Sequence, residues 1–219
     1  MRNTHTPIAA EGYPFIAGFA AVTVVMALLG QYLHYGFFVP SAIFLLLTLF
    51  TVFFFRNPER NTPENENAVI APADGEVIFI GKVVEPHTSV EMEKISIFMS
   101  VFNVHVNRAP ISGKVLDGFY TKGKFFDVRD ERASFENEQQ GLVLETATGL
   151  RMVVVQVAGL IARRIVCYAK VGDLLAKGRR YGLIRFGSRL DVYLPLGTRI
   201  EVPMGQKTVA GETVLGILP

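Results

Sequence analysis

Three short segments, far apart in the chain, carry side chains that could do chemistry together. APADGEV (residues 71–77) sets Asp74 at a turn ahead of a strand. SVFNVHVNRAP (100–110) sets His105 between valines in a strand-like run, and RFGSRLDVYLP (185–195) carries Gly187-Ser188. An acid, an imidazole and a hydroxyl are the ingredients of an Asp–His–Ser relay, in which the carboxylate orients the ring and the ring takes the hydroxyl proton. Each segment also has a plainer reading. Asp-Gly is a common turn dipeptide, a histidine among valines is more often a hydrogen-bonded structural residue, and Gly-Ser ahead of a strand is ordinary. Spacing alone does not bring the three together.

The elements around them are mostly β. From Ala68 to Pro219 the chain is dense in short β-type runs broken by glycine, among them EVIFIGKVV, ISIFMSV, LRMVVVQVAG, RIVCYAKV and RLDVYLP. In Arg189–Tyr193 polar and apolar residues alternate, as a strand requires. Residues 129–140 are polar and fit either helix or loop. Two stretches resemble one another: Gly172–Gly178 followed by YGLI, and Gly205–Gly211 followed by ETVLGIL. Such a repeat fits a β-sandwich of two interleaved, pseudo-symmetric halves, each of which would leave an apolar face uncovered alone. The glycine-punctuated turns resemble those of biotinyl- and lipoyl-type sandwich domains, a likeness of architecture only.

The amino-terminal part differs in kind. The chain is 50% hydrophobic, and the excess is concentrated: Gly12 to Phe55 contains no Asp, Glu, Lys or Arg. Two apolar runs, Tyr13–Gly30 and Phe37–Phe55, each approach the roughly 20 residues a helix needs to cross a bilayer. The short QYLHYG between them permits a tight hairpin, and Pro40 leaves a re-entrant hairpin open. Arg2 lies before the first run, Arg56 and Arg60 after the second, and the loop has neither Lys nor Arg, which places both ends in the cytoplasm. A cleaved signal peptide would leave the second run unexplained. The expected organisation is a membrane hairpin over 1–55, a polar linker over 56–67 (RNPERNTPENEN) and a β-rich domain over 68–219.

Lys and Arg (22) nearly balance Asp and Glu (20), so no nucleic-acid partner is expected. Cys167, the single cysteine, cannot form an internal disulfide and reads as a small buried hydrophobe. No metal-ligand pattern stands out. His87, in EPHTSVE, reads as solvated.

The order of APADGEV, FNVHVNRAP and FGSRLDVYLP behind an apolar hairpin closely resembles the short bacterial and archaeal branch of the phosphatidylserine decarboxylase proenzymes. The likeness runs from EGYPFI at Glu11 to the final LGIL. Longer members of that family usually have Leu-Gly-Ser-Thr at the junction, where this chain has Phe186-Gly187-Ser188-Arg189. They also carry a second histidine three positions before His105, where Phe102 stands here.

The resemblance implies self-cleavage between Gly187 and Ser188 into a β subunit (1–187) and an α subunit (188–219), which stay together as a heterodimer open to further oligomerisation. Ser188 would become a covalent pyruvoyl group. A hydroxyl is a weak nucleophile and needs a base; His105 is that base, Asp74 orients it, and Gly187 leaves the approach open. The pyruvoyl ketone would form a Schiff base with the serine amine of phosphatidylserine and accept electrons as carbon dioxide leaves, a role played elsewhere by pyridoxal phosphate. His105 is also the candidate proton donor to Cα, and the product would be phosphatidylethanolamine. A lipid substrate places the enzyme at the cytoplasmic membrane, catalytic domain on the cytoplasmic face. Arg108, Arg163, Arg164 and Arg189 are candidates for the lipid phosphate, with solvated surface charge the plainer reading of each. The competing reading is a membrane-tethered biotinyl/lipoyl-like carrier without catalysis, which lacks here the Met-Lys-Met hairpin it would need. A serine hydrolase is disfavoured because no G-x-S-x-G elbow surrounds Ser188.

Overall fold

The computed structural model describes residues 6–130, 132–159, 164–185 and 188–219. The chain divides into two compact units, Arg2–Pro58 and Glu59–Pro219.

In the first unit two helices, α1 (Tyr13–Tyr32) and α2 (Phe38–Phe54), run back on each other through a 3-10 turn at Tyr35–Phe37. Pro14 fits the first turn of α1, where its missing N–H costs nothing. His34 Nδ1 accepts from the Gly36 amide at 3.0 Å and stops the first helix cleanly. Gly30 lets the helices approach, since a Cβ there would lie 3.0 Å from the Phe38 ring. Thr23, Thr48 and Thr51 turn their hydroxyls onto carbonyls one turn back at 2.7–2.8 Å, so each spends its donor inside its own helix. Both helices are apolar all round and most of their side chains point outward, with Leu46 67% and Val39 66% exposed. Each is long and apolar enough to cross a bilayer.

The second unit is mainly β. Its strands are β1 (Ala68–Ile70), β2 (Gly75–Val84), β3 (Glu91–Met99), β4 (Val106–Arg108), β5 (Gly113–Thr121), β6 (Gln139–Glu145) and β7 (Arg151–Ala158). These are followed by β8 (Ile165–Cys167), β9 (Leu174–Leu175), β10 (Arg180–Ile184), β11 (Ser188–Leu194), β12 (Arg199–Ile200), β13 (Lys207–Thr208) and β14 (Val214–Ile217). A single helical turn, α3 (Ala133–Glu136), precedes β6, so residues 129–140 hold both a helical turn and the start of a strand.

An eight-stranded sheet has the order β13-β2-β3-β11-β7-β6-β5-β9, and two three-stranded sheets have the orders β1-β14-β12 and β4-β10-β8. This order is its own mirror about the β11–β7 seam. Strands β1, β2, β3, β11, β12, β13 and β14 form one half; β4 to β10 form the other in matching arrangement, inserted between β3 and β11. The two glycine hooks found in the sequence supply β9 and β13, at opposite edges. Gly172, Gly178, Gly205 and Gly211 all have positive φ, as hooks that fold straight back require.

The halves share a repeat that pattern reading overlooked, APADGEV (71–77) against APISGKV (109–115). Ile70 N donates to Pro110 O and Arg108 N to Pro72 O, both at 2.9 Å, a reciprocal contact about the pseudo-twofold axis. Gly211 N donates to Ala71 O and Gly178 N to Ala109 O, again both at 2.9 Å. A Cβ on Gly75 would lie 2.2 Å from the Phe98 carbonyl, and one on Gly113 would lie 2.6 Å from the Glu145 carbonyl. Both glycines are therefore fixed by close backbone crossing.

One face of the large sheet packs on the smaller sheets around Ile95, Ile97, Met99, Val154, Leu190, Val192, Tyr181, Ile184 and Leu215. The other face is covered too. On β11 the polar positions of the alternation, Arg189 and Asp191, are 3% and 1% exposed, because the described chain around Val128 and Ser134 lies over them. Arg189 donates to Val128 O and Ser134 Oγ at 2.7 Å, and Asp191 ion-pairs with Arg189 Nε at 2.8 Å and Lys94 at 3.0 Å. Burial alone would raise the Asp191 carboxyl, but Arg189 and Lys94 hold it below its ordinary value. Because this pKa is lowered on folding, Asp191 contributes its stability above the ordinary carboxylate pKa of about 3.9 and loses it as pH falls through the folded-state value. Asp191→Asn would leave two buried cations without a counter-charge and should cost about 3–5 kcal/mol in a urea titration at neutral pH.

Candidate active site

The insertion of one half into the other creates two crossover points. At the first, residues 100–105 lead out of β3 into β4; at the second, residues 185–188 lead from β10 back into β11. Antiparallel pairing of β4 with β10 brings His105 to the end of β10: Ile184 N donates to the His105 carbonyl at 3.4 Å. His105 thus lies alongside the strand end that, four residues later, delivers Ser188.

Ser188 is the first residue of β11 and is fully buried. It is held on both sides, paired with Met99 of β3 and Ala158 of β7. Its hydroxyl points toward the core and donates to the Met99 thioether at 3.3 Å. Sulfur is a weak acceptor, so this hydroxyl is only loosely engaged. Gly187 lies outside the described residues, as does Arg163.

His105 is 2% exposed, and its Nδ1 lies 2.9 Å from the Asn103 carbonyl. A carbonyl can only accept, so Nδ1 carries a proton and donates it to this bond. Asn103 is itself pinned, its Oδ1 accepting from the Ser100 amide at 2.9 Å and hydroxyl at 2.8 Å. The tautomer-fixing part expected of Asp74 thus falls to a backbone carbonyl in a turn that the sequence did not single out.

Asp74 sits in the β1–β2 turn. Its carboxylate accepts from the Ala210 amide at 2.7 Å and from Arg60 at 2.9 and 3.2 Å. The first bond has a twin, because Ser112 accepts from the Lys177 amide at 3.0 Å at the equivalent place in the other half. Asp74 is therefore a hook pin in both fold and sequence, and its added feature is the charge shared with Arg60. The structure brings His105 close to the end of β10 and Ser188 onto Met99; the Asp74 carboxylate is turned to Arg60 and the hook.

Further polar groups lie under Ser188. Asn107 of β4 and Gln156 of β7 are both fully buried. Gln156 Nε2 donates to Asn107 Oδ1 at 2.8 Å, and Asn107 Nδ2 lies 3.8 Å from the Met99 sulfur that also receives Ser188. Their only trace in the sequence is a single amide in each of two apolar runs, VHVNRAP and MVVVQVAG. A buried amide left without a partner costs roughly 1–3 kcal/mol, so the two are conspicuous in a core of valine, isoleucine and leucine.

The arginines differ from a solvated surface set. Arg189 is buried in the network described above, and Arg108, 6% exposed, donates to the Gly178 carbonyl at 2.8 Å. Burial, with Arg180 and Arg60 close by, lowers the Arg108 guanidinium to about 10. Arg164 is exposed. His87 is not simply solvated either, since its Nε2 meets Asp117 at 2.9 Å and its ring stacks on Phe119. Among the described residues no group of His, Cys, Asp and Glu is placed to hold a metal.

A model of the phosphatidylserine decarboxylase family matches residues 47–216. The chain belongs to that family. Membership makes it a decarboxylase. It is 84% identical over 219 residues to the phosphatidylserine decarboxylase proenzyme of Geobacter sp. (strain M21), with all of both chains covered. Identity is 70% to the protein of the same name from Geobacter metallireducens and 54% to that from Syntrophotalea carbinolica, again over the whole of both chains. The family match spans all three motif segments and both crossovers.

Cys167 stands apart from this chemistry. Burial pushes its thiol up to about 11, so it stays protonated at neutral pH. The folded protein should therefore resist iodoacetamide at pH 7.5 and label once denatured, as intact mass will show.

Proposed function

We propose that this family member converts phosphatidylserine to phosphatidylethanolamine and carbon dioxide, using a pyruvoyl group made from its own Ser188. The observation that carries the reading is the setting of Ser188: a buried, loosely held hydroxyl at the first position of a central strand, immediately after a crossover that His105 borders. Membership of the family supports the reaction, and the word proenzyme in the relatives' names fits a processed chain.

The cleavage is an internal acyl shift. Ser188 Oγ bonds to the carbonyl carbon of Gly187 while the Gly187–Ser188 C–N bond breaks, leaving an ester and a free amine at residue 188. Loss of the Ser188 Cα proton then expels the ester oxygen, so residues 1–187 end in a carboxylate. The dehydrated residue left behind tautomerises, and water replaces its nitrogen as ammonia, giving a ketone without any oxidant. His105 takes the hydroxyl proton at Nε2, with Asn103 holding Nδ1–H. Asp74 is the acid that the family resemblance assigns to this step, and its carboxylate charge would favour the imidazolium.

The surroundings fit such a group. Residues 188–219 supply β11, locked between β3 and β7, together with β13 on β2 and β14 on β1. A cut before Ser188 therefore leaves two interleaved subunits that hold the new terminus in place. When formed, the pyruvoyl group supplies a carbonyl for the headgroup amine and an electron sink for decarboxylation. His105 then returns a proton to the substrate Cα. The two apolar helices keep the enzyme at the membrane that holds its substrate, with the β unit on the cytoplasmic face, as the flanking arginines favour.

The purified protein should run as two bands in denaturing gels, divided at residue 188, yet elute as one species from a native column. Ser188→Ala should stay whole and release no carbon dioxide from phosphatidylserine vesicles; a cleaved or active Ser188→Ala protein would refute the reading. His105→Ala should slow cleavage by at least ~100-fold. Asp74→Ser copies Ser112 and keeps a hook acceptor, so it should fold and yet cleave poorly. If it cleaves normally, Asp74 is a hook pin alone.

A further inference from the structure

The pseudo-twofold axis gives each residue of one half a counterpart in the other, and this singles out the amide pair beneath Ser188. Asn107 pairs with Gly182 in the β4–β10 ladder, as Val69 pairs with Gly216 in the β1–β14 ladder. Phe98 and Glu145 are equivalent, because their carbonyls receive the close approach of Gly75 and Gly113. Phe98 pairs with Arg189 and Glu145 with Arg151. Counting five residues along β11 and β7 from those partners makes Leu194 the counterpart of Gln156. The other half therefore fills these two places with Val69 and Leu194, both members of the apolar core. The fold does not need amides there.

The half that has them is the half that supplies His105. Asn107 Oδ1 is taken by Gln156, which leaves Nδ2 directed at the Met99 sulfur, the acceptor that the Ser188 hydroxyl also uses. Gln156 Oε1 is buried with no hydrogen-bond partner among the described residues. Gly182 makes room for this amide, since a Cβ there would come 3.1 Å from Gln156 Nε2 and 2.3 Å from the Val166 carbonyl. Two donors thus share one weak acceptor, and neither is held as an oxygen would hold it.

We propose that Asn107, braced by Gln156, is a positioning residue for self-cleavage. By occupying the Met99 sulfur, its amide competes with the Ser188 hydroxyl and leaves that hydroxyl able to turn to its base. The inference rests on the cleavage reading above and adds a residue pair to it.

The test is the double variant Asn107→Val/Gln156→Leu, which installs the pair the other half already carries. Removing both partners of a buried hydrogen bond together leaves nothing unsatisfied, so the variant should melt close to the parent. Full-length chains are made by cell-free synthesis with phosphatidylglycerol/phosphatidylethanolamine vesicles, and the cut fraction is followed by gel against time. A purely structural pair predicts parental cleavage in the double variant. The positioning role predicts cleavage slowed by about 100-fold with the melting temperature preserved. Asn107→Asp gives a second reading if the double variant is unstable: it keeps size and the acceptor for Gln156 but loses the donor, and should be equally slow. Parental cleavage in whichever variant is folded overturns the proposal. A parent chain that never cleaves overturns the cleavage reading itself.

Discussion

The antiparallel ladder between β7 and β11 is the constraint on which the rest of the β unit depends. It joins two halves that are each incomplete, and it does so in the middle of a sheet where both neighbours are fixed. Because one half is inserted into the other, the chain must leave β3 and return to β11 across this seam. His105 is then brought alongside the end of β10, and Ser188 opens the strand that follows. A site placed there inherits its rigidity from long-range pairing on every side, which a surface loop could not offer.

The same seam explains why both faces of β11 are dry. Leu190 and Val192 enter the main core, whereas Arg189 and Asp191 enter a second, charged layer roofed by the described chain around Val128 and Ser134. Arg189 follows Ser188 directly and is tied to Val128 and Ser134 of that roof. The backbone at residue 188 is thus clamped from above by ionic contacts and from the sides by β3 and β7. Only its side chain, resting on a thioether, has freedom to move.

Symmetry also separates structural from chemical use of a residue type. Asp74 and Ser112 do the same work on their glycine hooks, so the hook alone does not demand a carboxylate. Val69 and Leu194 fill the places that Asn107 and Gln156 hold in the other half, so the core alone does not demand amides. In each case the fold is satisfied in one half by a residue type that the other half replaces.

Much of this was legible in the sequence. The charge-free stretch from Gly12 to Phe55 dictated two apolar helices, because nothing else satisfies so long a run of apolar side chains. The glycine hooks dictated paired halves, because only glycine takes the positive φ they require. The motif segments were enough to name the family. The partners of each candidate were decided in three dimensions: that Asn103 rather than Asp74 holds the His105 ring, that Arg189 is buried, and that Asn107 and Gln156 meet beneath Ser188. The first is a turn contact two residues long, whereas Arg189 meets Val128 and Ser134 across 61 and 55 positions and Gln156 meets Asn107 across 49, so these depend on strand register. Register in a sheet is set by the summed burial of whole faces, a sum no local run of residues contains.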